Sequence, residues 1–264
     1  MEGFQVDELK LYMSDDIKIA HGIVLKCPKI RDVAEFGESA YFYMAQTLCA
    51  TPSSMMVQLD DMKLNYMKIK DFELFMMLCQ SFKPETTRLL LGDLDLTKFK
   101  PRPYGQTEEV VLVYEGTEND TNPVVITPII HEVLTTYIRK MHNFKKEYRP
   151  AGNEMARRAM IRVARQDIEV AKNKPHESFL RPVISAVKCR QGYSMDYIRD
   201  MGIFELMDDL SRLNIIVQAD ADMGGMYSGF VDTKKMDKTV LNWTRNITDD
   251  ENYKGKEIAD GVVR

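Results

Sequence analysis

The 264-residue chain carries 36 Lys and Arg against 40 Asp and Glu, a formal charge of −4, with 44% hydrophobic and 29% charged residues. This is the balance of a globular protein with a sizeable core, and it excludes a disordered chain. No run approaches the ~18 apolar residues of a membrane span, and Met1–Asp7 lacks the basic and apolar stretches of a signal peptide.

Taken in chain order, Leu9-Lys-Leu-Tyr-Met13 alternates apolar and polar residues and reads as a strand. Ser14-Asp15-Asp16 is turn chemistry, and Ile17-Lys-Ile19 and Gly22-Ile-Val-Leu25 resume the extended pattern. Pro28 suits the first turn of a helix with Ile30, Val33, Ala34 and Phe36 apolar, and Gly37 breaks it. Ala40 to Ala50 is apolar almost all round and predicts a buried helix. Thr51-Pro52 starts another, running to about Met62 with Met55, Met56 and Leu59 inward. Asp71 caps a helix carrying Phe72, Phe75, Met76 and Cys79, with Pro84 after its end. Pro101, Pro103 and Gly105 mark Lys98 to Gln106 as a boundary. Val110–Tyr114 and Val124–Ile126 flank a polar turn cluster and predict a hairpin. Thr127-Pro128 opens a helix to about His142, and Tyr148 to Asn153 is a second boundary.

The C-terminal half reads as helical. Asn153 caps residues 154–173, and Ser178 to Arg190 forms another helix with Pro182 in its first turn. Ser194 caps a long one from Met195 to about Val217, with Gly202 inside it. Met223 to Gly229 is glycine-rich and predicts a turn, and the last 20 residues are polar. The fold class is therefore α+β, mostly helical, with a small N-terminal strand pair and a middle β-hairpin. The boundaries divide the chain into an α+β part at 1–105, a hairpin-plus-helix connector at 106–150 and a helical part at 151–264.

The chemistry-bearing residue types lack the spacings that sites use. No two of Cys27, Cys49, Cys79 and Cys189 lie within four residues, so no CxxC pair exists. His131-Glu132 begins like a zincin motif, but Thr135 replaces the second histidine. Gly225-Met-Tyr-Ser228-Gly229 misses the nucleophile-elbow spacing by one residue. Asp220 and Asp222 are spaced as in a calcium loop, but Val231 stands where its glutamate belongs. No phosphate loop or dinucleotide fingerprint occurs. No cofactor or metal is expected, and the expectation is a non-enzymatic protein.

Three features could carry an interaction. Arg157, Arg158, Arg162 and Arg165 fall within about 140° on one helix. They belong to a stretch, Arg139 to Arg165, with nine basic residues against two acidic ones. Residues 195–264 hold 14 acidic and nine basic residues, so the two regions could pair within a chain or between copies. The chain has 18 Met, whose unbranched side chains adapt to varied partners. Neighbours such as Met55-Met56 and Met76-Met77 cannot both face one core. A nucleic-acid face needs more than a basic stripe, and no interleaved aromatic platform accompanies this one.

Several strings together resemble proteins of tailed phages and prophages of Gram-positive bacteria. They are residues 29–38 (KIRDVAEFGE), 50–53 (ATPS), 70–75 (KDFELF), 177–182 (ESFLRP), 225–235 (GMYSGFVDTKK) and 241–243 (LNW). Within that group the chain resembles a tail-morphogenesis protein of the tail assembly chaperone type. The resemblance implies binding of tape-measure and tail-tube proteins during assembly, without catalysis, in the host cytoplasm. Contact candidates are then Met55, Met56, Met76, Met77, Phe204 and Met207, with the arginine stripe beside them, and Trp243 is expected to anchor the C-terminal segment by burial. Two alternatives stand: a structural subunit of the virion tail or neck that self-associates, and a nucleic-acid-binding accessory protein.

Overall fold

The computed structural model describes residues 5–103, 109–115, 123–173, 177–228 and 238–247. Its architecture is α+β and mostly helical, with a strand pair near the N-terminus and a small middle sheet.

Asp7 accepts from the Lys10 N–H and caps a short helix, α1 (Glu8–Tyr12). The segment expected as a strand is thus helical. Five alternating residues fit either period, and the side-chain cap decides. Leu11 is its one buried residue. Strands β1 (Ile17–Ala20) and β2 (Ile23–Leu25) pair antiparallel around the turn at His21-Gly22. Gly22 has φ +69°, and a Cβ there would run into the Val124 side chain.

Next come α2 (Ile30–Phe36), ended by Gly37 at φ +98°, and α3 (Glu38–Leu48). Helix α3 buries Tyr41, Met44, Ala45 and Leu48 but exposes Tyr43, so it is one-sided rather than buried all round. Thr51 accepts from the Ser54 N–H ahead of α4 (Met56–Asp61). Helix α5 (Asp71–Cys79) follows, with Glu73 accepting from the Lys70 N–H. Pro84 does not merely follow α5. It is the first residue of α6 (Pro84–Leu91), where its missing N–H costs nothing.

The segment expected as a boundary near residue 100 is instead a strand. β3 (Phe99–Pro103), β4 (Val110–Tyr114) and β5 (Val125–Ile126) form an antiparallel sheet in the order β3-β4-β5. Two prolines are tolerated because β3 is an edge strand that needs ladder bonds on one side only. The turn cluster between β4 and β5 lies largely outside the described residues, as does Gly105.

Helix α7 (Pro128–His142) starts at Thr127, whose hydroxyl accepts from the Ile130 N–H. It buries Leu134, Tyr137, Ile138 and Met141 together with four polar residues. Residues 143–153 then cross the surface to α8 (Glu154–Lys172), which Asn153 caps through the Ala156 N–H. This crossing is tied down: Thr51 donates to the Glu147 carbonyl, Tyr66 to that of Arg149, and the Arg149 N–H donates to Ser53.

Helix α9 (Leu180–Gln191) precedes a broken pair, α10 (Met195–Asp200) and α11 (Ile203–Tyr227). The expected single helix breaks at Met201-Gly202, where Lys29 and Gly202 form a β-bridge. Helix α11 also runs through Gly224 and Gly225, where a turn was expected. Extending a long helix adds one bond per residue, and this offsets the ~1 kcal/mol cost of each glycine. Trp243 is 57% exposed, so it is not the buried anchor expected of it. The carbonyls of Trp243 and Arg245 instead accept from Arg212 on α11.

One cluster joins α1, both sheets, α7 and the buried faces of α9 to α11. A second, smaller one holds Met56, Val57, Leu59, Tyr66, Leu74 and Ile161. Residues 180–213 therefore share a core with residues 11–141.

Gly22→Ala is expected to lower stability by about 1–3 kcal/mol, because it combines a left-handed φ with a clash on Val124. Gly152→Ala, whose Cβ would meet nothing, should stay within about 0.5 kcal/mol. Urea unfolding of the two variants beside wild type measures both.

Candidate functional site

The arginine stripe is the first place to look, and the structure splits it. Arg157 pairs with Glu154 and with Asp60 of α4, and its side chain is only 13% exposed. Arg165 pairs with Asp60 and Asp61, at 3.2 Å and 2.8 Å. Arg158 is exposed and reaches back to Glu154, and Arg162 is exposed with no ion pair among the described residues. The stripe is thus half structural: two of its four members hold α8 against α4, and the other two face solvent. Hydrogen bonds from Arg157 and Arg158 hold the Glu154 carboxyl down at about 2.

Helix α8 buries little else. Ile161 is its one fully buried residue, with Met160 and Ala164 partly covered. Met155, Val163 and Val170 are 84%, 55% and 56% exposed. At 100° per residue, Met155, Ala159, Val163 and Val170 line one apolar edge. Arg158 and Arg162 run along its margin.

The other contact candidates mostly serve the core. Met56 is buried in the smaller cluster, and Phe204 and Met207 are buried in the main one, where α11 lies on α7 and α9. These three cannot touch a partner while the chain is folded. Met55 and Met76 are half-buried against the two clusters, and Met77 is exposed. Only the Met76-Met77 pair divides between core and solvent; Met55 and Met56 both pack on the smaller cluster.

A second constellation was not legible as such. Four polar residues of α7 are buried: His131, Thr135, Arg139 and His142. The His142 Nδ1 lies 2.7 Å from the Ile138 carbonyl, which can only accept, so Nδ1 carries the proton. Nε2 then accepts from the Tyr41 hydroxyl at 2.6 Å. His131 packs on Phe75 with ring centroids 4.6 Å apart, and its Nε2 has no hydrogen-bond partner. Burial pushes both imidazoles down to about 4. The Arg139 guanidinium donates to the Cys49 carbonyl at 2.6 Å and to the Thr135 hydroxyl at 3.2 Å. It lines a cleft of about 540 Å³ between the end of α3 and residues 144–149, with Lys145, Lys146, Glu147 and Arg149. Helical periodicity gives no signal for this residue, because at 100° per step Arg139 lies about 100° from Ile138 and off the Leu134–Ile138–Met141 stripe.

The remaining reactive groups are quiet. Burial pushes the Cys27 and Cys79 thiols up to about 12 and Cys49 up to about 11, so all three stay protonated at neutral pH. Among the described residues no group of three or more His, Cys, Asp or Glu could hold a metal ion. Val231, Gly229 and His176 lie outside those residues. No described helix is long and apolar enough to cross a membrane.

Residues 172–248 match the family model described as the YomV second domain, YomV being a Bacillus prophage protein. That stretch of similarity spans α9, α10 and α11. No curated protein and no solved structure matches the chain.

Two outcomes follow from the paired groups. Arg157→Glu is expected to cost about 1–3 kcal/mol by setting a second anion against Asp60, while Arg162→Glu should change stability by less than about 0.5 kcal/mol. The histidines make stability depend on pH. Unfolded imidazole titrates near 6.5 and the folded ones near 4, so the unfolded chain binds more protons between those values. Stability is retained above pH 6.5 and falls toward pH 4, by up to about 3 kcal/mol per histidine. Denaturant unfolding at pH 7 and pH 4.5 measures this, and His142→Gln should remove roughly half of the difference, the His131 share remaining.

Proposed function

We propose that this protein is a non-enzymatic phage morphogenesis factor that holds a helical component of the tail, of the tape-measure or tail-tube kind, during assembly. The observation that carries the reading is the exposed apolar edge of α8, Met155, Val163 and Val170, bordered by Arg158 and Arg162. An amphipathic helix with one face docked and another bare is suited to helix-on-helix contact, and its arginine margin selects acidic flanks on the partner. The similarity to a phage-related domain at residues 172–248 supports the setting. In this reading the contact set moves from the buried Met56, Phe204 and Met207 to α8 and the exposed Met77.

The second reading is a virion subunit that pairs with its own copies. It draws support from Asp220 on the exposed end of α11, opposite in sign to the α8 margin. A nucleic-acid role is weakened, because Arg157 and Arg165 already answer Asp60 and Asp61.

The test uses the full chain as bait in prophage-induced cells, alongside its abundance in purified particles. Recovery of tape-measure or tube protein, lost in a Met155→Asp/Val163→Asp variant and with the chain absent from particles, is the expected outcome. Stoichiometric presence in the particle would replace the chaperone reading with the subunit one.

A further inference from the structure

The cleft beside α7 has a feature that neither its neighbours nor the assembly role explains. Arg139 is about nine-tenths buried, yet the acceptors of its two hydrogen bonds are a backbone carbonyl and a hydroxyl. No described carboxylate forms an ion pair with it. A buried charge without a counter-charge is costly. The Cys49 carbonyl belongs to the C-terminal end of α3, and a helix end supplies only about half a unit of negative charge. The Cys49 thiol stays neutral, so it supplies none.

Three further cations line the cleft, two of them already paired with a carboxylate. Lys145, Lys146 and Arg149 stand around the same space, with Glu147 the one carboxylate among the lining residues. Glu147 pairs with Arg149 at 3.2 Å, and Lys146 reaches Asp71 at 2.7 Å. The walls are held in place without a ligand. Thr51 and Tyr66 donate to the carbonyls of Glu147 and Arg149, and the Arg149 N–H donates to Ser53. A guanidinium has five donors, of which these contacts use two, and the fork geometry of the remainder matches an oxyanion.

We propose that this cleft binds a small, multiply charged oxyanion, a phosphate or phosphate monoester, with the Arg139 guanidinium as the buried anchor and Lys146 and Arg149 at its mouth. At about 540 Å³ the space accommodates a group the size of pyrophosphate or a mononucleotide. The site is separate from the exposed edge of α8, so it stands whether or not the assembly role does.

The experiment is calorimetric titration of the full chain with sodium pyrophosphate at low salt, repeated with added chloride. One saturable site per chain, weakening as chloride rises, is expected. Arg139→Met should weaken it at least tenfold, and Lys146→Gln/Arg149→Gln several-fold. Absence of saturable binding, or unchanged affinity in Arg139→Met, would overturn the proposal. Arg139 also holds the end of α3, so circular dichroism must show that this variant folds. Should it not fold, the double variant, whose changes lie at exposed side chains, decides, and unchanged affinity there overturns the site. Competition identifies the source. Displacement of pyrophosphate by adenosine monophosphate supports a monoester. Displacement only by a single-stranded oligonucleotide, or only by an oligoglutamate peptide, would overturn the small-anion assignment.

Discussion

The burial of α7 is the constraint on which the rest of the structure depends. This helix meets β1, β5, α5 and α11, so polar residues on its surface cannot all reach water. Most of them find a partner inside, and His131, whose Nε2 has none, is kept neutral by burial against Phe75. His142 finds partners in both directions, through its own helix and through Tyr41 of α3. Arg139 does so by taking the carbonyl at the end of α3. The hydroxyl of Tyr137 accepts from the Asp7 N–H, and Lys140 pairs with Glu8, which brings α1 onto the same helix. Aligning α1, α3 and the β1–β2 pair on α7 leaves little choice for the core between them.

The C-terminal helices are joined to that core by polar ties as well as by packing. Glu38 at the start of α3 accepts from Ser178 and from the Leu180 N–H. Asp200 pairs with Lys29 and Arg31, and the Ile30 N–H donates to the Met201 carbonyl. Asp209 of α11 accepts from the hydroxyls of Tyr12 and Tyr193, while burial raises its carboxyl above the usual range. Residues 178–213 are therefore built into the N-terminal part rather than hung beside it. Helix α8 is the exception. It leaves the main core, docks on α4 through Ile161 and two arginines, and keeps an apolar edge in solvent. A surface suited to a partner arises here because the docking is narrow.

Much of the local structure was legible. The caps at Thr127, Asn153 and Ser194, the stop at Gly37 and the β4–β5 pair follow from residue types that act within one turn. The misreadings concern contacts distant in sequence. Leu9–Met13 alternates like a strand, but its cap and the approach of α7 make it a helix. The prolines at 101 and 103 look like a linker, yet β4 supplies a partner that an edge strand can use. Gly202 reads as a blemish within a helix and proves to be the break at which Ser14 comes close.

By itself the sequence determined most helix caps, the α+β balance, the split of Met76 and Met77 between core and solvent, and the basic character of residues 139–165. Those properties depend on neighbours within a few positions or on composition. Only the tertiary structure decided which charges are spent and which are open. Asp60 and Asp61 neutralise Arg157 and Arg165 from about a hundred residues away, and α3 brings Cys49 to Arg139 across a similar span. Charge and burial are pairwise properties in space, so no spacing along the chain can assign them.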